Sequence, residues 1–376
     1  MRTIIFGTYD TAMHPRIATI AEGLAARGFD VAECNIPLGL TTADRVDMLA
    51  KPWKAVGLVT RLASRWGGLA ARARRLGRPD VVVVGYLGHF DVHLARLLYR
   101  RGKVPIVLDH LISAANTAKD RRLDGGIKSK LLRLIDAAAL HAADIVVVDT
   151  DEHREIVPDK YQSKVVVVHV GAPAPWHAAA QDPATAAAPS GPLKVVFYGL
   201  YTPLQGTPVI GAALGRIAGA PVEVTMIGRG QDEAETKQAA AANTSVRWLD
   251  WVPAAELPAL VAAHDVCLGI FGTGDKALRV VPNKVFQGAA AGCAVVTSDT
   301  APQRRVFGTV SQESGAVLVP PGDPAALADA LLWLAGDRDA LLKLRHAARQ
   351  LAAQRFTPEQ VVAPLTDRLL PQHVRA

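Results

Sequence analysis

The sequence predicts an α/β protein built as two similar units, each a parallel sheet covered by helices on both faces. Three observations predict it. At 376 residues the chain is longer than a single core usually serves. Short continuous apolar runs, Val81–Val84 and Ile106–Asp109 among them, alternate with stretches of helical character. Such runs mark strands buried on both faces, as parallel sheets require. Between two series of this kind lies a proline- and alanine-rich stretch, 172–192, with little charge, which reads as a linker or extended crossing segment.

The first series opens with a strand at Thr3–Phe6, and the loop GTYDTAMHPR leads into a helix from about Pro15 to Arg27. Further strands are expected at Val31–Asn35, Val81–Val84, Ile106–Asp109, Ile145–Asp149 and Val165–His169. The second series runs through Lys194–Tyr198, Glu223–Ile227, Val246–Leu249, Val266–Phe271, Cys293–Val296 and Val317–Val319. The expected domains are therefore 1–175 and 193–352, joined by 176–192 and followed by a helix and tail over 353–376. Parallel sheets of this type bind ligands at the carboxyl ends of their strands, which directs attention to the loops after them.

Half the residues are hydrophobic and a fifth are charged, the composition of a globular chain. The net charge of +7 is uneven: residues 1–175 hold 25 of the 42 Lys/Arg but 18 of the 35 Asp/Glu, so all of the excess lies there. A basic half beside a neutral half points to an anionic partner for the first half. Cys34, Cys267 and Cys293 form no ligand-like cluster, which suggests a reducing compartment. The apolar run in MRTIIFG is too short for a signal-peptide core, and no stretch reaches about 18 apolar residues. A cytoplasmic protein, with peripheral attachment to the inner face of a membrane, is the expectation.

Residues 266–299 carry the most information. Pro282 suits the first turn of a helix and Gly292 its left-handed stop, giving a helix near 283–291. Its N-terminus opens onto a loop holding Lys276, Arg279 and Lys284. Free N–H groups, the positive end of the helix dipole and three cations suit a phosphate or diphosphate. Pro282, Lys284, Gln287, Ala290, Gly292, Val295 and Val296 match a P-x-K-x-x-E-x-x-A-x-G-x-P-V-V pattern, and the stretch resembles the donor site of GT-B glycosyltransferases, in particular retaining, family-4-like enzymes. That family usually carries two glutamates separated by seven intervening residues, and this chain has Arg279 and Gln287 at that spacing.

The resemblance covers about 190–352. It implies two Rossmann-like parallel-sheet domains facing a central cleft (GT-B), with part of the last helix packing back on the first domain. FYGLYTPLQG resembles the opening donor loop, so Gly199, Gln205 and Gly206 are candidate donor contacts, with Leu200 and Gln205 at places where an Arg and a Lys are usual. IGRGQ resembles the G-x-G turn and offers Arg229 as a replacement cation. The family places a histidine after a central strand, near the transferred sugar; Asp109, His110 and His89 all compete for that role. His14 and Arg16, in the first loop, are candidates for the acceptor side. What the resemblance implies is sugar transfer from a nucleotide-sugar donor to a glycolipid, polysaccharide precursor or other glycan, with retention. The alternative is a non-catalytic or remodelled sugar-nucleotide-binding protein. No metal, no other cofactor and no nucleic-acid partner are expected.

One further stretch stands out. Residues 51–78 contain eight Lys/Arg and no acid, and their apolar positions, including Trp53 and Trp66, recur every three or four residues. Such a cationic amphipathic helix resembles an element that lies on an anionic membrane surface. It would read equally as a helix whose apolar side packs in the core.

Overall fold

A computed structural model of the chain describes residues 1–10, 15–39, 55–86, 88–99, 104–111, 113–114, 126–180, 191–308 and 315–370. The chain divides into two compact units. Unit 1 comprises Met1–His169 with Val361–Ala376, and unit 2 comprises Val170–Gln360. Each unit contains one six-stranded sheet, and every strand pairing is parallel.

In unit 1 the strands are β1 (Arg2–Gly7), β2 (Asp30–Asn35), β3 (Val81–Val84), β4 (Ile106–Asp109), β5 (Ile145–Val148) and β6 (Val165–Val167). They lie in the order β2-β1-β3-β4-β5-β6. Side chains alternate between the faces with period two. Ile4, Val82, Ile106 and Val146 face one core, and Ile5, Val83, Val107 and Val147 face the other. The helices Ala55–Leu76, Asp91–Tyr99 and Gly126–Ala142 cover the first face, while Arg16–Ala26, Val361, Val362 and the terminal helix Ala363–Leu369 cover the second. Apolar runs read correctly as strands here because both faces are buried, so nothing interrupts them.

In unit 2 the strands are β7 (Leu193–Tyr198), β8 (Val222–Ile227), β9 (Val246–Leu249), β10 (Val266–Leu268), β11 (Ala294–Ser298) and β12 (Ala316–Val319), in the order β12-β11-β10-β7-β8-β9. β10 stops three residues before the expected end at Phe271. The stretch 172–192 is not extended throughout: Ala174–Ala179 is helical and buries Trp176, which stacks on Tyr198 with ring centroids 5.7 Å apart.

The cationic helix Ala55–Leu76 corrects one expectation. Its apolar side is not free for a membrane, because Leu69 and Ala73 are buried in the core and Trp66 and Leu76 pack against it. Trp66 Nε1 also donates to Asp91 Oδ1 at 2.8 Å. Arg61, Arg65, Arg72, Arg74 and Arg75 remain on the exposed side. Lys51, Trp53 and Lys54 lie outside the described residues.

Candidate functional site

The order of the second sheet reverses between β7 and β10, so the loops leaving these neighbours diverge and open a crevice at their carboxyl ends. Three loops meet there, backbone against backbone. A Cβ on Gly206 would lie 2.4 Å from Gly272 N, and one on Gly272 would lie 2.3 Å from Pro203 O. One on Gly228 would lie 1.9 Å from Gly199 O. Gly206 also has φ +66°, the left-handed region where a side chain is strained, and it starts the helix Thr207–Arg216.

The helix Asn283–Ala290 brings Lys284 into this crevice. Pro282 has an extended backbone and caps this helix rather than lying in its first turn, and Gly292 (φ 84°) follows its end. Lys284 is buried, with Nζ 3.7 Å from the centroid of the Phe197 ring and donating to Gln205 Oε1 at 2.5 Å. A Cβ on Gly199 would lie 3.1 Å from Nζ, so the glycine leaves the space the ammonium occupies. Burial pushes the lysine down to about 7, because the charged form loses hydration that one amide and a ring replace only partly. An anion arriving at Nζ would restore that stabilisation.

Gln287, one turn along the same helix, is also buried, and its Oε1 accepts from the hydroxyl of Tyr198 at 2.9 Å. Gly199, Gln205, Gly206, Lys284 and Gln287 are thus gathered at the ends of β7 and β10. Lys276 and Arg279 are partly buried in the segment before the helix, where Arg279 N donates to Lys276 O at 3.1 Å. Arg229 is exposed and paired with Asp250, at the ends of β8 and β9. Tyr198 and Phe197 escaped sequence reasoning because strand aromatics ordinarily signal core.

Unit 1 assembles a second polar cluster, at the ends of β4 and β5. Arg16, the first residue of its helix, is fully buried; Nε donates to Asp109 Oδ1 and Nη2 to Val168 O, both at 2.9 Å. His110 lies between two other histidines, its ring 5.5 Å from His89 and 6.0 Å from His153. Each outer histidine has its own carboxylate: His89 Nε2 lies 2.9 Å from Asp136 Oδ1, and His153 Nδ1 2.8 Å from Asp149 Oδ1. Burial, then the neighbouring histidines, hold His110 well below the usual histidine range. Burial raises Asp109 despite Arg16, whereas at Asp149 burial is outweighed by the His153 hydrogen bond together with the charges of His153 and Arg16, and the carboxyl is lowered. Two carboxylates pushed apart in this way are suited to opposite proton roles.

Asp109, His110, His89 and Arg16 are therefore neighbours in one network, while His14 lies outside the described residues. Sequence reasoning missed Asp136, Asp149 and His153. The available signal was TDEHRE after a strand: Thr150 caps the helix Asp151–Glu155 by accepting from His153 N at 3.1 Å, which turns His153 back toward Asp149. Among the described residues no group of three His, Cys, Asp or Glu is placed to hold a metal ion.

Two six-stranded parallel sheets of this order match the fold of GT-B glycosyltransferases. Comparison with known proteins agrees. Residues 192–337, all within unit 2, match the family model of group 1 glycosyl transferases. Over 174 residues the chain is 34% identical to the phosphatidyl-myo-inositol mannosyltransferase of Mycobacterium leprae (strain TN). That match spans 45% of this chain and 44% of the relative, so the chain matches under half of that protein's length. The sucrose-phosphate synthase of Thermosynechococcus elongatus has a similar structure (TM-score 0.69, 15% identity, 100% of this chain and 99% of that one). So does Anabaena HepE in complex with UDP (TM-score 0.66, 13% identity, 98% of both chains).

Proposed function

We propose that the protein is a glycosyltransferase that moves a sugar from a nucleotide-sugar donor to a glycan or lipid-linked acceptor, with retention and without a metal ion. The observation that carries this reading is Lys284: a buried ammonium with no carboxylate partner among the described residues, at the switch point of the sheet that matches the group 1 glycosyl transferase model. The donor diphosphate would lie against Lys284 and the glycine-tight loops, and the cation would stabilise the charge that develops on the leaving phosphate. The relative's name, a phosphatidylinositol mannosyltransferase, supports a mannosyl donor and a lipid acceptor. In unit 1, His110 stays neutral between its paired neighbours and offers a hydrogen bond to the reacting sugar rather than a charge. Three buried free cysteines support a cytoplasmic setting.

Thermal-shift measurements against UDP, GDP, ADP and their sugars test the reading, since stabilisation follows ligand affinity. Selective stabilisation by one nucleotide, and its release from the matching sugar nucleotide when acceptor is added, is the expected result. Stabilisation without turnover on any acceptor would favour the non-catalytic binder. A flat response to every nucleotide would end the donor-site assignment.

A further inference from the structure

We propose that the outer surface of the three helices covering one face of unit 1 docks onto an anionic lipid bilayer, with Leu97, Leu131 and Leu134 entering the headgroup boundary. The proposal rests on the glycosyltransferase reading in one respect: a lipid-linked acceptor would bring the protein to a bilayer.

The first observation is where apolar surface has been left outside. Leu97 of Asp91–Tyr99 is 69% exposed, and Leu131 and Leu134 of Gly126–Ala142 are 55% and 65% exposed. Leu131 and Leu134 are three residues apart and share one side of their helix. The two helices pack together, and Arg96 Nε of the first donates to Ala142 O of the second at 2.9 Å. Single exposed leucines are ordinary, but three on neighbouring helices ask for a partner.

The second observation is charge. The helix Ala55–Leu76, which packs against Asp91–Tyr99, exposes Arg61, Arg65, Arg72, Arg74 and Arg75. Lys130 and Arg133 are exposed beside the leucines on the third helix. The sequences of the three helices contain only two acids, Asp91 and Asp136. Both are buried and engaged within unit 1: Asp91 accepts from Thr8 and Trp66, and Asp136 from Ser113 and Ala114. The helices themselves therefore present cations and leucines outward with no acid, and the exposed Asp144, two residues past the third helix, is paired with Arg96 at 2.8 Å.

Together these select the occupant. A nucleic acid would use the arginines but has no need of leucines. A protein partner would ordinarily meet a rim of mixed polarity. A bilayer with anionic headgroups uses both features at once, through Coulomb attraction at the surface and apolar insertion just below it. The tryptophan-bearing side of Ala55–Leu76 is spent on the core, so this helix supplies charge and its neighbours supply the apolar anchor.

The test is cosedimentation of the full chain with vesicles of phosphatidylcholine containing roughly a third phosphatidylglycerol, and with pure phosphatidylcholine, at low and high salt. Binding is expected to the first at low salt and to fall as salt screens the attraction. Leu131→Gln/Leu134→Gln should lower the partition coefficient by about tenfold or more, as the loss of two inserted leucines predicts. Arg72→Gln/Arg74→Gln/Arg75→Gln should lower it at low salt only. Circular dichroism and the melting temperature of each variant should match the wild type and show that unit 1 folds, and nucleotide-induced thermal shifts, which report on unit 2, should be unchanged. Wild-type protein that ignores anionic vesicles, or a leucine variant that binds like wild type, would overturn the docking surface. So would a leucine variant that changes oligomeric mass instead. If vesicle binding fails while the nucleotide shift persists, the donor reading stands without the docking surface; if the nucleotide shift fails while vesicle binding persists, the reverse holds.

Discussion

The two sheets have nearly the same architecture, yet their switch points hold opposite charges. In unit 2, where β7 and β10 part, glycines let three loops close on one another, and the buried group is the ammonium of Lys284. In unit 1, the order reverses between β1 and β3, and that place is filled. The ring of Tyr9 covers Gly85, where a Cβ would lie 2.4 Å from Tyr9 Cδ1, and the Tyr9 hydroxyl donates to Glu33 Oε1 at 2.8 Å. Beside it Asp91 Oδ2 accepts from Thr8 N at 2.7 Å and Thr8 Oγ1 at 2.8 Å. A buried carboxylate there repels the phosphate that a buried ammonium attracts. Topology provides the same switch point twice, and side chains give one a buried ammonium and the other a buried carboxylate.

The comparison breaks most severely at Gly206. Gly206→Ala puts a Cβ at φ +66° and within 2.4 Å of Phe271 and Gly272 backbone atoms that no side-chain rotation can relieve. A stability loss on the order of 2–4 kcal/mol is expected, from left-handed strain plus the clash. Denaturant unfolding would show it, and nucleotide-induced thermal shift should vanish with it. Retained stability and nucleotide binding would mean the three loops are looser than the contact geometry requires.

Lys284→Met separates binding from stability. Removing one charge-assisted contact to a diphosphate should cost about 1.5–3 kcal/mol in transition-state stabilisation, so turnover falls at least about tenfold. Fold stability should hold or rise, because an apolar side chain of similar length replaces a poorly solvated charge. Asp91→Ala is the mirror experiment in unit 1. It strands the Thr8 N–H and the Trp66 indole N–H, at a cost of roughly 2–4 kcal/mol of stability, and nucleotide affinity should not change. Loss of nucleotide affinity in the Asp91 variant would contradict the assignment of the two crevices.

How much of this was legible in the sequence follows from the same contrast. The strands showed because burial on both faces writes them as unbroken apolar runs. The residues gathered in the unit 2 crevice showed because Gly199, Gly206, Lys284 and Gln287 sit in short local patterns. The network in unit 1 did not, because Asp136, Asp149 and His153 find His89 and His110 only through strand adjacency; Asp136 and His89 are 47 positions apart in the sequence. Trp66 shows the limit of helical periodicity, which identifies an apolar side but not whether a core or a bilayer receives it. The Gln287 amide had a visible place and an invisible partner, Tyr198, 89 residues away.

Acidity sharpens the contrast more gently. Lys284 titrates at about 7 in the folded protein against an ordinary value of 10.5. The sign follows from the protonation states. Between pH 7 and 10.5 the unfolded chain binds the extra proton, so this lysine makes stability rise with pH across that window. Anion binding needs the protonated form, so nucleotide affinity should fall as pH rises above 7, by up to about tenfold per unit, until the bound state also loses its proton. Calorimetry in buffers of different ionisation enthalpy should register proton uptake on binding at pH 8. No uptake, with affinity flat from pH 6.5 to 8.5, would mean that Lys284 does not meet the phosphate.

The smallest effect is expected at Arg229, the residue whose G-x-G position proposed it as a second cation for the diphosphate. Its guanidinium is exposed and held by Asp250, so its charge is already matched, and solvent screens what remains. The pair belongs to the loops after β8 and β9, whereas Lys284 sits where β7 and β10 diverge. Arg229→Gln should therefore leave nucleotide affinity within about twofold and the melting temperature unmoved, as an exposed pair predicts. The informative failure is a loss near the size expected for Lys284. That would require Arg229 to leave Asp250 when the nucleotide arrives, and the double variant Arg229→Gln/Asp250→Asn would then bind no worse than Arg229→Gln alone. In that event unit 2 commits two cations to the phosphate against the buried carboxylate at the switch point of unit 1, and the contrast between the sheets becomes wider than the Arg229–Asp250 pairing displays.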